Sequence, residues 1–425
     1  AQTSRAEIER LVDRVSRHFV LVVITLAMLA FLGWGFLSAI GWEEALLRAV
    51  AVLVVACPCA MGLATPAALM AAANAASRRG ILFRDAIAIE KTGVIDTVLF
   101  DKTGTLTGDL AVSGIEKSPV TPRDGGDPAP LHDEVFAALV RALATPSRHP
   151  LCRALVEKFP KAAPLALEGW REERGAGVTA RWEGRAVRLG SPAWLIASGI
   201  VFPDEFLSRL GGGALALAVG EEAAALVNFV KPVKAEAAAV VHELGKQGFA
   251  VYMVTGDAEV PAHAVALELG IPAARVFAGI RPEEKADLVV RLRAEGEGRK
   301  ERRVAFVGDG INDGPALAAA DLGIAVVGAS DVAREASDIV LLTRDLDAVP
   351  EALRLSAATR SVIKQNLFWA FVYNAAMVPL ALFGMVPPVA CALAMGLSDL
   401  CVMANAMRLL RYGKAMRIEA PSDFR

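Results

Sequence analysis

Long charge-free apolar runs alternate along this chain with segments of mixed character. Phe19 to Ile40 and Ala49 to Ala76 contain no charged residue, and Leu367 to Met407 contains one ionisable group, Asp399. A helix needs about 20 apolar residues to cross the hydrocarbon core of a bilayer. Each of the first two runs suffices for one span. The third is about twice that length and is interrupted by Gly384 and Pro387-Pro388, so it predicts two spans joined by a tight turn, four in all. Buried core helices of soluble proteins seldom run this far without charge. A cleaved leader is disfavoured for the first run, which lacks a small-residue cleavage site and is followed at once by another span.

Charge flanking orients these spans. Arg5, Arg10, Arg14 and Arg17 precede the first, and Arg78, Arg79, Arg84 and Lys91 follow the second. Lys364 precedes the third, and Arg408, Arg411, Lys414 and Arg417 follow the fourth. The short connections around Glu43-Glu44 and Pro387-Pro388 carry only Arg48 among basic residues. The excess of Lys and Arg on one side predicts a multi-pass membrane protein with both termini and the long middle segment in the cytoplasm.

The middle segment reads as α/β. Val94–Phe100, Ala250–Val254 and Val304–Val307 are short apolar runs rich in β-branched residues, separated by helical patterns such as Ala235–Gln247. That alternation predicts a doubly wound parallel sheet. The Pro/Gly/Asp-rich stretch Ser118 to Pro130 marks an insertion after the first strand, and Val178 to Leu189 alternates about Glu183-Gly184 as a hairpin does. The expected division is two spans in 1–91, a sheet domain in 92–117 and 228–346, an inserted α+β domain in 118–227, and two further spans with a tail in 347–425.

Composition narrows the function classes. At 54% hydrophobic and 22% charged the chain is too apolar for a disordered tail. Its 45 Lys and Arg against 47 Asp and Glu leave no general nucleic-acid-binding surface. Five cysteines are too few for a disulfide scaffold, and a bridge between Cys57 and Cys59 across one proline is strained.

Three elements follow strands, where open α/β sheets bind ligands. Asp101-Lys102-Thr103-Gly104-Thr105 follows the first strand; a carboxylate there can attack a phosphoryl group and form an aspartyl phosphate. Thr255-Gly256-Asp257 follows the second, and Gly308-Asp309-Gly310-Ile311-Asn312-Asp313 the third. Carboxylates clustered at a phosphate site call for a hard cation, so Asp309 and Asp313 are candidate Mg²⁺ ligands. Lys285, in Arg281-Pro282-Glu283-Glu284-Lys285, can neutralise phosphoryl oxygens as charge develops. Thr-Gly-Asp alone reads equally well as a plain turn; its weight comes from its place after Asp101.

Cys57-Pro58-Cys59 sits mid-span. Proline removes a helical hydrogen bond, letting both thiols face one cavity, and thiolates prefer Cu(I) or Zn²⁺ to Mg²⁺. Tyr373, Asn374, Met395, Ser398 and Asp399 are further polar or soft groups in the last two spans. Each of the neutral ones serves equally as helix–helix glue, whereas an ionisable group in a span marks function. In the insertion, Ser147-Arg148-His149-Pro150 and Gly175-Ala176-Gly177 are candidate nucleotide contacts; His-Pro alone also reads as a helix start.

Together these residues resemble the heavy-metal-transporting P-type ATPases over nearly the whole chain. The resemblance implies a haloacid-dehalogenase-like sheet domain with an inserted nucleotide-binding domain and a membrane portion. Asp101 to Thr105, with Lys102 and Thr103, is similar to the family's phosphorylation loop. Thr255, Gly256 and Asp257, and Gly308 to Asp313 with Asn312, resemble its phosphate- and magnesium-binding loops. His149, Pro150, Gly175 and Gly177 resemble its adenine-binding elements, and Cys57-Pro58-Cys59 its soft-metal motif. Tyr373-Asn374 and Met395-x-x-Ser398 resemble the copper(I) branch; the zinc/cadmium branch implies a Lys in the third span and an Asp where Met395 stands. The implied cofactors and substrates are Mg²⁺, ATP and Cu(I), the ion being delivered by a cytoplasmic copper carrier, and the implied location is the cell membrane.

Four departures stand out. No Thr-Gly-Glu occurs, so the family's actuator domain is absent, and the start at Ala1 implies a fragment lacking an N-terminal part. Ala144 stands where a Glu is usual, Lys231 where an Asp is usual, and Asp399 in place of a second Ser. Two other classes compete: a non-pumping copper-binding membrane protein, and a phosphatase of the haloacid dehalogenase type. The phosphatase requires an acid or base two residues after the nucleophile, where Thr103 stands.

Overall fold

The computed structural model describes residues 7–37, 40–55, 59–119, 130–163, 165–208, 213–295, 301–309 and 313–411. The chain divides into two compact units: Ala1–Leu106 with Ala235–Arg425, and Thr107–Lys234. Before the insertion come strands β1 (Ile81–Phe83) and β2 (Thr97–Asp101). The insertion holds β3 (Ala111–Lys117), β4 (Glu168–Glu173), β5 (Gly177–Trp182), β6 (Arg185–Gly190), β7 (Leu215–Val219) and β8 (Glu222–Val230). After it come β9 (Ala250–Val254), β10 (Val276–Phe277), β11 (Val304–Gly308), β12 (Leu322–Ala325) and β13 (Ile339–Leu341).

In the first unit seven strands run in the order β1-β13-β12-β11-β2-β9-β10. All neighbours are parallel except β1, which pairs antiparallel with β13. β2 and β11 are buried at every position, as expected where helices cover both faces of a parallel sheet. The chain leaves β2, returns to β9 on one side and later reaches β11 on the other. The strand order therefore reverses at β2, and the crevice beyond its carboxyl end is the ligand position of this architecture.

β1 corrects the expected first division. The sequence predicts two membrane helices in 1–91, and within that segment Ile81–Phe83 joins the sheet through Ile81↔Leu341 and Phe83↔Ile339. A three-residue strand is too short to show alternation.

The insertion is an antiparallel sheet in the order β3-β8-β7-β6-β5-β4. Its limits are wider than 118–227, because β3 pairs with β8 from Lys117↔Ala225 to Ala111↔Val230 and Thr107 bridges Val233. The hairpin at Glu183-Gly184 is present, with both residues at positive φ (51° and 77°), the twist that a two-residue β-turn requires. Phe136, Leu139, Leu143 and Leu155 from its helices pack on Val187, Leu189 and Leu217 to form its core.

The apolar helices are Glu7–Leu37, Gly41–Val55, Cys59–Ser77, Ala348–Leu382 and Pro388–Met407. By length and composition three segments suffice to cross a membrane among the described residues: His18–Phe36, Gly41–Ser77 and Pro388–Arg411. The expected third span, from Leu367, is the end of the 35-residue helix Ala348–Leu382. That helix begins beside the sheet with a charged, buried start, so its apolar part is short of the usual crossing length. Its Phe368, Trp369, Phe371 and Leu380 nevertheless face outward, as do Leu21, Met28 and Leu393 on the other helices. The turn between the last two helices falls at Gly384 (φ 72°), and Pro388 opens the final helix.

Candidate functional site

Asp101 ends β2, opposite Val254 of β9, while Phe100 pairs with Val307 of β11. The sheet thus brings the residues after three strands to one place. The Asp101 side chain is nearly buried at 3% exposure and is held on both oxygens. The Thr103 amide donates to Oδ2 at 3.0 Å, and the Lys285 ammonium donates to Oδ1 at 2.7 Å. Lys285 also donates to Asp313 Oδ1 at 2.6 Å.

Lys285 reaches this position from the first turn of the helix Pro282–Ala294. Pro282 presets the helical φ, and the Glu284 carboxylate accepts the Arg281 amide at 3.0 Å, so the helix starts three residues before the lysine. Thr255 is buried, and its Oγ1 accepts the Asp257 amide at 3.1 Å. Asp257 pairs with Lys102. Gly104 has φ 75°, and a Cβ there would overlap the Asp309 carboxylate. The loop after β2 can lie against the loop after β11 only with glycine at this point.

Burial, then the charge of Asp313, push the Asp101 carboxyl up to about 6, and the adjacent Lys285 ammonium opposes them. Burial pulls the Lys285 ammonium down, but Asp101 and Asp313 outweigh it, and the net direction is upward. Asp101, Asp309 and Asp313 can each offer an oxygen such that all three atoms lie within 4.8 Å. Three carboxylates against one nearby ammonium leave excess negative charge, and an all-oxygen donor set suits a hard divalent ion. The residues fit Mg²⁺.

Within the insertion a cavity of about 670 Å³ is lined by Ser147, His149, Glu172, Gly175, Gly177 and Leu189, among others. This is the size of a small-molecule site. His149 caps the helix Pro150–Lys158, its Nδ1 accepting the Leu151 amide at 3.3 Å, and Pro150 is the first helical residue. A Cβ at Gly177 would overlap Leu189 O and approach Gly190, so glycine permits close packing of β5 on β6. Ala144 is fully buried against the insertion core. Acidic lining comes instead from Glu172 and Glu173 on β4, where Ser147 Oγ donates to Glu172 Oε1 at 2.6 Å. Sequence reasoning missed Glu172; its signal was a strongly charged strand beside the Gly-Ala-Gly turn. Lys231 is exposed, and nothing in the structure explains its departure.

Cys57, Pro58, Gly310 and Asn312 lie outside the described residues, as does the side chain of Cys59. Of the other membrane candidates, Asn374 is buried while Tyr373, Met395 and Ser398 are half-buried.

The family model for haloacid dehalogenase-like hydrolases matches residues 95–321. The chain belongs to that family, and the matched residues include Asp101 and Lys285. Within the family it groups with the P-type ATPases. It is 39% identical over 97% of its length to a cation-transporting P-type ATPase B of Mycobacterium bovis, covering 54% of that protein. It is 40% identical over 96% of its length to copper-transporting ATPase 2 of Rhizobium meliloti, covering 49% of it. The crystal structure of a zinc-transporting PIB-type ATPase in its E2.Pi state superposes with a TM-score of 0.73 at 31% identity, covering 96% of this chain and 65% of that one. The chain thus spans about half the length of the curated relatives it matches.

Proposed function

We propose that this chain carries the phosphorylation, nucleotide-binding and ion-conducting parts of an ATP-driven exporter of a soft metal ion, Cu(I). The observation that carries the reading is the buried Asp101 carboxylate at the end of β2, paired with Lys285 beside Asp309 and Asp313.

ATP binds in the cavity of the insertion, with His149, Gly175 and Gly177 around the adenine. One Asp101 oxygen attacks the γ-phosphorus; the new O–P bond forms as the bond to the ADP oxygen breaks, and ADP leaves. Lys285 balances charge on the transferring group, Thr255 and Gly256 hold its oxygens, and the Lys102–Asp257 pair keeps the two loops together. Asp101, Asp309, Asp313 and the Thr103 carbonyl would hold Mg²⁺, which when bound supplies positive charge against the phosphoryl oxygens. Asn312 contributes to the same loop. Thr103 has no acid or base function, which favours a lasting phosphoenzyme over direct hydrolysis.

In the membrane, Cys57 and Cys59 with Tyr373, Asn374, Met395 and Ser398 hold the cargo ion. Thiolate and thioether donors favour Cu(I), in line with the Rhizobium relative, a copper-transporting ATPase. The catalytic region and both termini face the cytoplasm of a cell membrane, where a cytoplasmic carrier hands over the ion. Regions the relatives have beyond this chain supply the remaining steps.

The test is Asp101→Asn in the full-length protein. Acid-stable labelling from γ-labelled ATP is expected to vanish while nucleotide binding persists; undiminished labelling refutes the assignment. Titrating Cu(I) and Zn²⁺ into Cys57, Cys59 and Met395 variants decides the metal.

A further inference from the structure

We infer that the chain carries a further small-molecule site at the amino end of β9, for an organic anion: a phosphate or carboxylate on an apolar body. The site is a cavity of about 380 Å³ between the helices Ala237–Lys246 and Glu259–Leu269. That volume is within the range of ligand pockets. Val251 lines it, three residues and about 10 Å along β9 from Val254, the partner of Asp101. The cavity therefore lies at the opposite ends of the strands from the Asp101 crevice, and it does not rest on the function proposed above.

Its floor is apolar and its rim is cationic. Val241, Val251, Leu269 and Ile271 are buried, and Phe249 is half-buried. His242 and Lys246 stand one turn apart on the helix Ala237–Lys246, and Arg275 comes from the short helical turn Ala273–Arg275. No acidic residue lines the cavity among the described residues. Glu243, next to His242, is committed to Arg354 at 3.1 Å and accepts from Gln247 at 2.8 Å. The Arg275 guanidinium lies 5.6 Å from the centre of the Tyr252 ring, which stacks on Phe277, so an aromatic face rather than an acid holds it. Two helices end here, and their last carbonyls carry roughly half a negative charge each. That offsets one cation of the Lys246 and Arg275 pair and leaves the mouth positive, with the His242 imidazole beside it.

Gly245 is the observation that separates a ligand site from a packing gap. It lies within the helix Ala237–Lys246 and is not among the glycines at positive φ. At such a position glycine is less favourable than alanine. A Cβ there would meet no atom within 4 Å. Neither backbone conformation nor crowding calls for glycine, yet Gly245 lines the cavity and its missing side chain keeps the mouth open. An apolar body seated on the Val251 and Leu269 floor brings its anionic group to Lys246 and Arg275, whose guanidinium fork matches phosphate and carboxylate oxygens.

The test uses the full 425-residue chain in lipid nanodiscs, titrated calorimetrically with 1-naphthyl phosphate against an empty-nanodisc control. A non-hydrolysable ATP analogue is present throughout to fill the insertion cavity. Saturable binding of one probe per chain is expected, and 1-naphthol, which lacks the anion, is expected to bind about tenfold more weakly. Lys246→Gln and Arg275→Gln are each expected to lower the affinity about tenfold, near the cost of one charge-assisted hydrogen bond. Gly245→Ala is expected to weaken binding while its thermal midpoint stays or rises, a combination that a purely structural glycine does not give. A wild type that takes up no probe, equal affinity for 1-naphthol, or wild-type affinity in all three variants overturns the inference. Binding seen only when the ATP analogue is left out assigns the probe to the insertion cavity and overturns it as well.

Discussion

The Arg79 guanidinium lies 2.8 Å from the Glu351 carboxylate, with both side chains nearly buried. Arg79 sits between the helix Cys59–Ser77 and β1, and Glu351 in the first turn of the helix Ala348–Leu382. One ion pair thus joins two apolar helices where both meet the sheet. Arg79 Nη1 is within ion-pair range but misaligned for a hydrogen bond. Arg79→Met alone strands the buried Glu351 carboxylate and is expected to cost about 3–5 kcal/mol, while Arg79→Met with Glu351→Leu costs far less. Chemical unfolding of the wild type and these two variants checks this, and equal losses in the single and double variants would refute it.

Burial pushes the Glu351 carboxyl above its ordinary 4.5, against the pull of Arg79. A raised acid binds its proton more tightly in the folded state, so its contribution is full below pH 4.5 and is lost as pH rises through the raised value. The unfolding midpoint is expected to fall across that interval in the wild type and to be flatter in Glu351→Gln. A steeper fall in the variant contradicts the assignment.

The proposed phosphoryl transfer requires ionised Asp101, whose carboxyl burial pushes up to about 6. Phosphoenzyme formation is expected to decline below that pH. Lys285 is the cation that lowers the Asp101 value, so Lys285→Gln moves the acid limb upward and slows phosphorylation by about 100-fold. Rapid-quench labelling across pH measures both, and a limb that stays in place shows that Lys285 does not act on Asp101.

Gly104→Ala introduces a Cβ into the Asp309 carboxylate at a positive φ. The backbone penalty alone is about 1–2 kcal/mol, and Asp309 must move as well. Weakened Mg²⁺ dependence of phosphorylation is expected, with nucleotide binding unaffected. Wild-type Mg²⁺ dependence in this variant would show that the two loops need not touch.

Glu172 faces the insertion cavity and accepts a hydrogen bond from Ser147. Glu172→Ala leaves the Ser147 hydroxyl without that acceptor and is expected to weaken nucleotide binding by about tenfold, near the cost of one charge-assisted hydrogen bond. Fluorescent-nucleotide titration measures it, and unchanged affinity removes Glu172 from the site.

Much of the site was legible along the chain because strand-end loops carry their chemistry in short contiguous runs. Asp101, Thr255 and Asp309 each follow an apolar strand, and a parallel sheet necessarily delivers those ends to one edge. The apolar runs were equally plain, since membrane crossing depends on length and composition. What the linear order left open was pairing between distant residues. That Lys285 bridges Asp101 and Asp313, that β1 extends the sheet from the foot of an apolar helix, and that Glu172 lines the cavity while Ala144 lies in the core all depend on which surfaces pack together. Local pattern determines elements because it acts through nearest neighbours; side-chain partners are set by the burial of whole faces, which no single segment encodes.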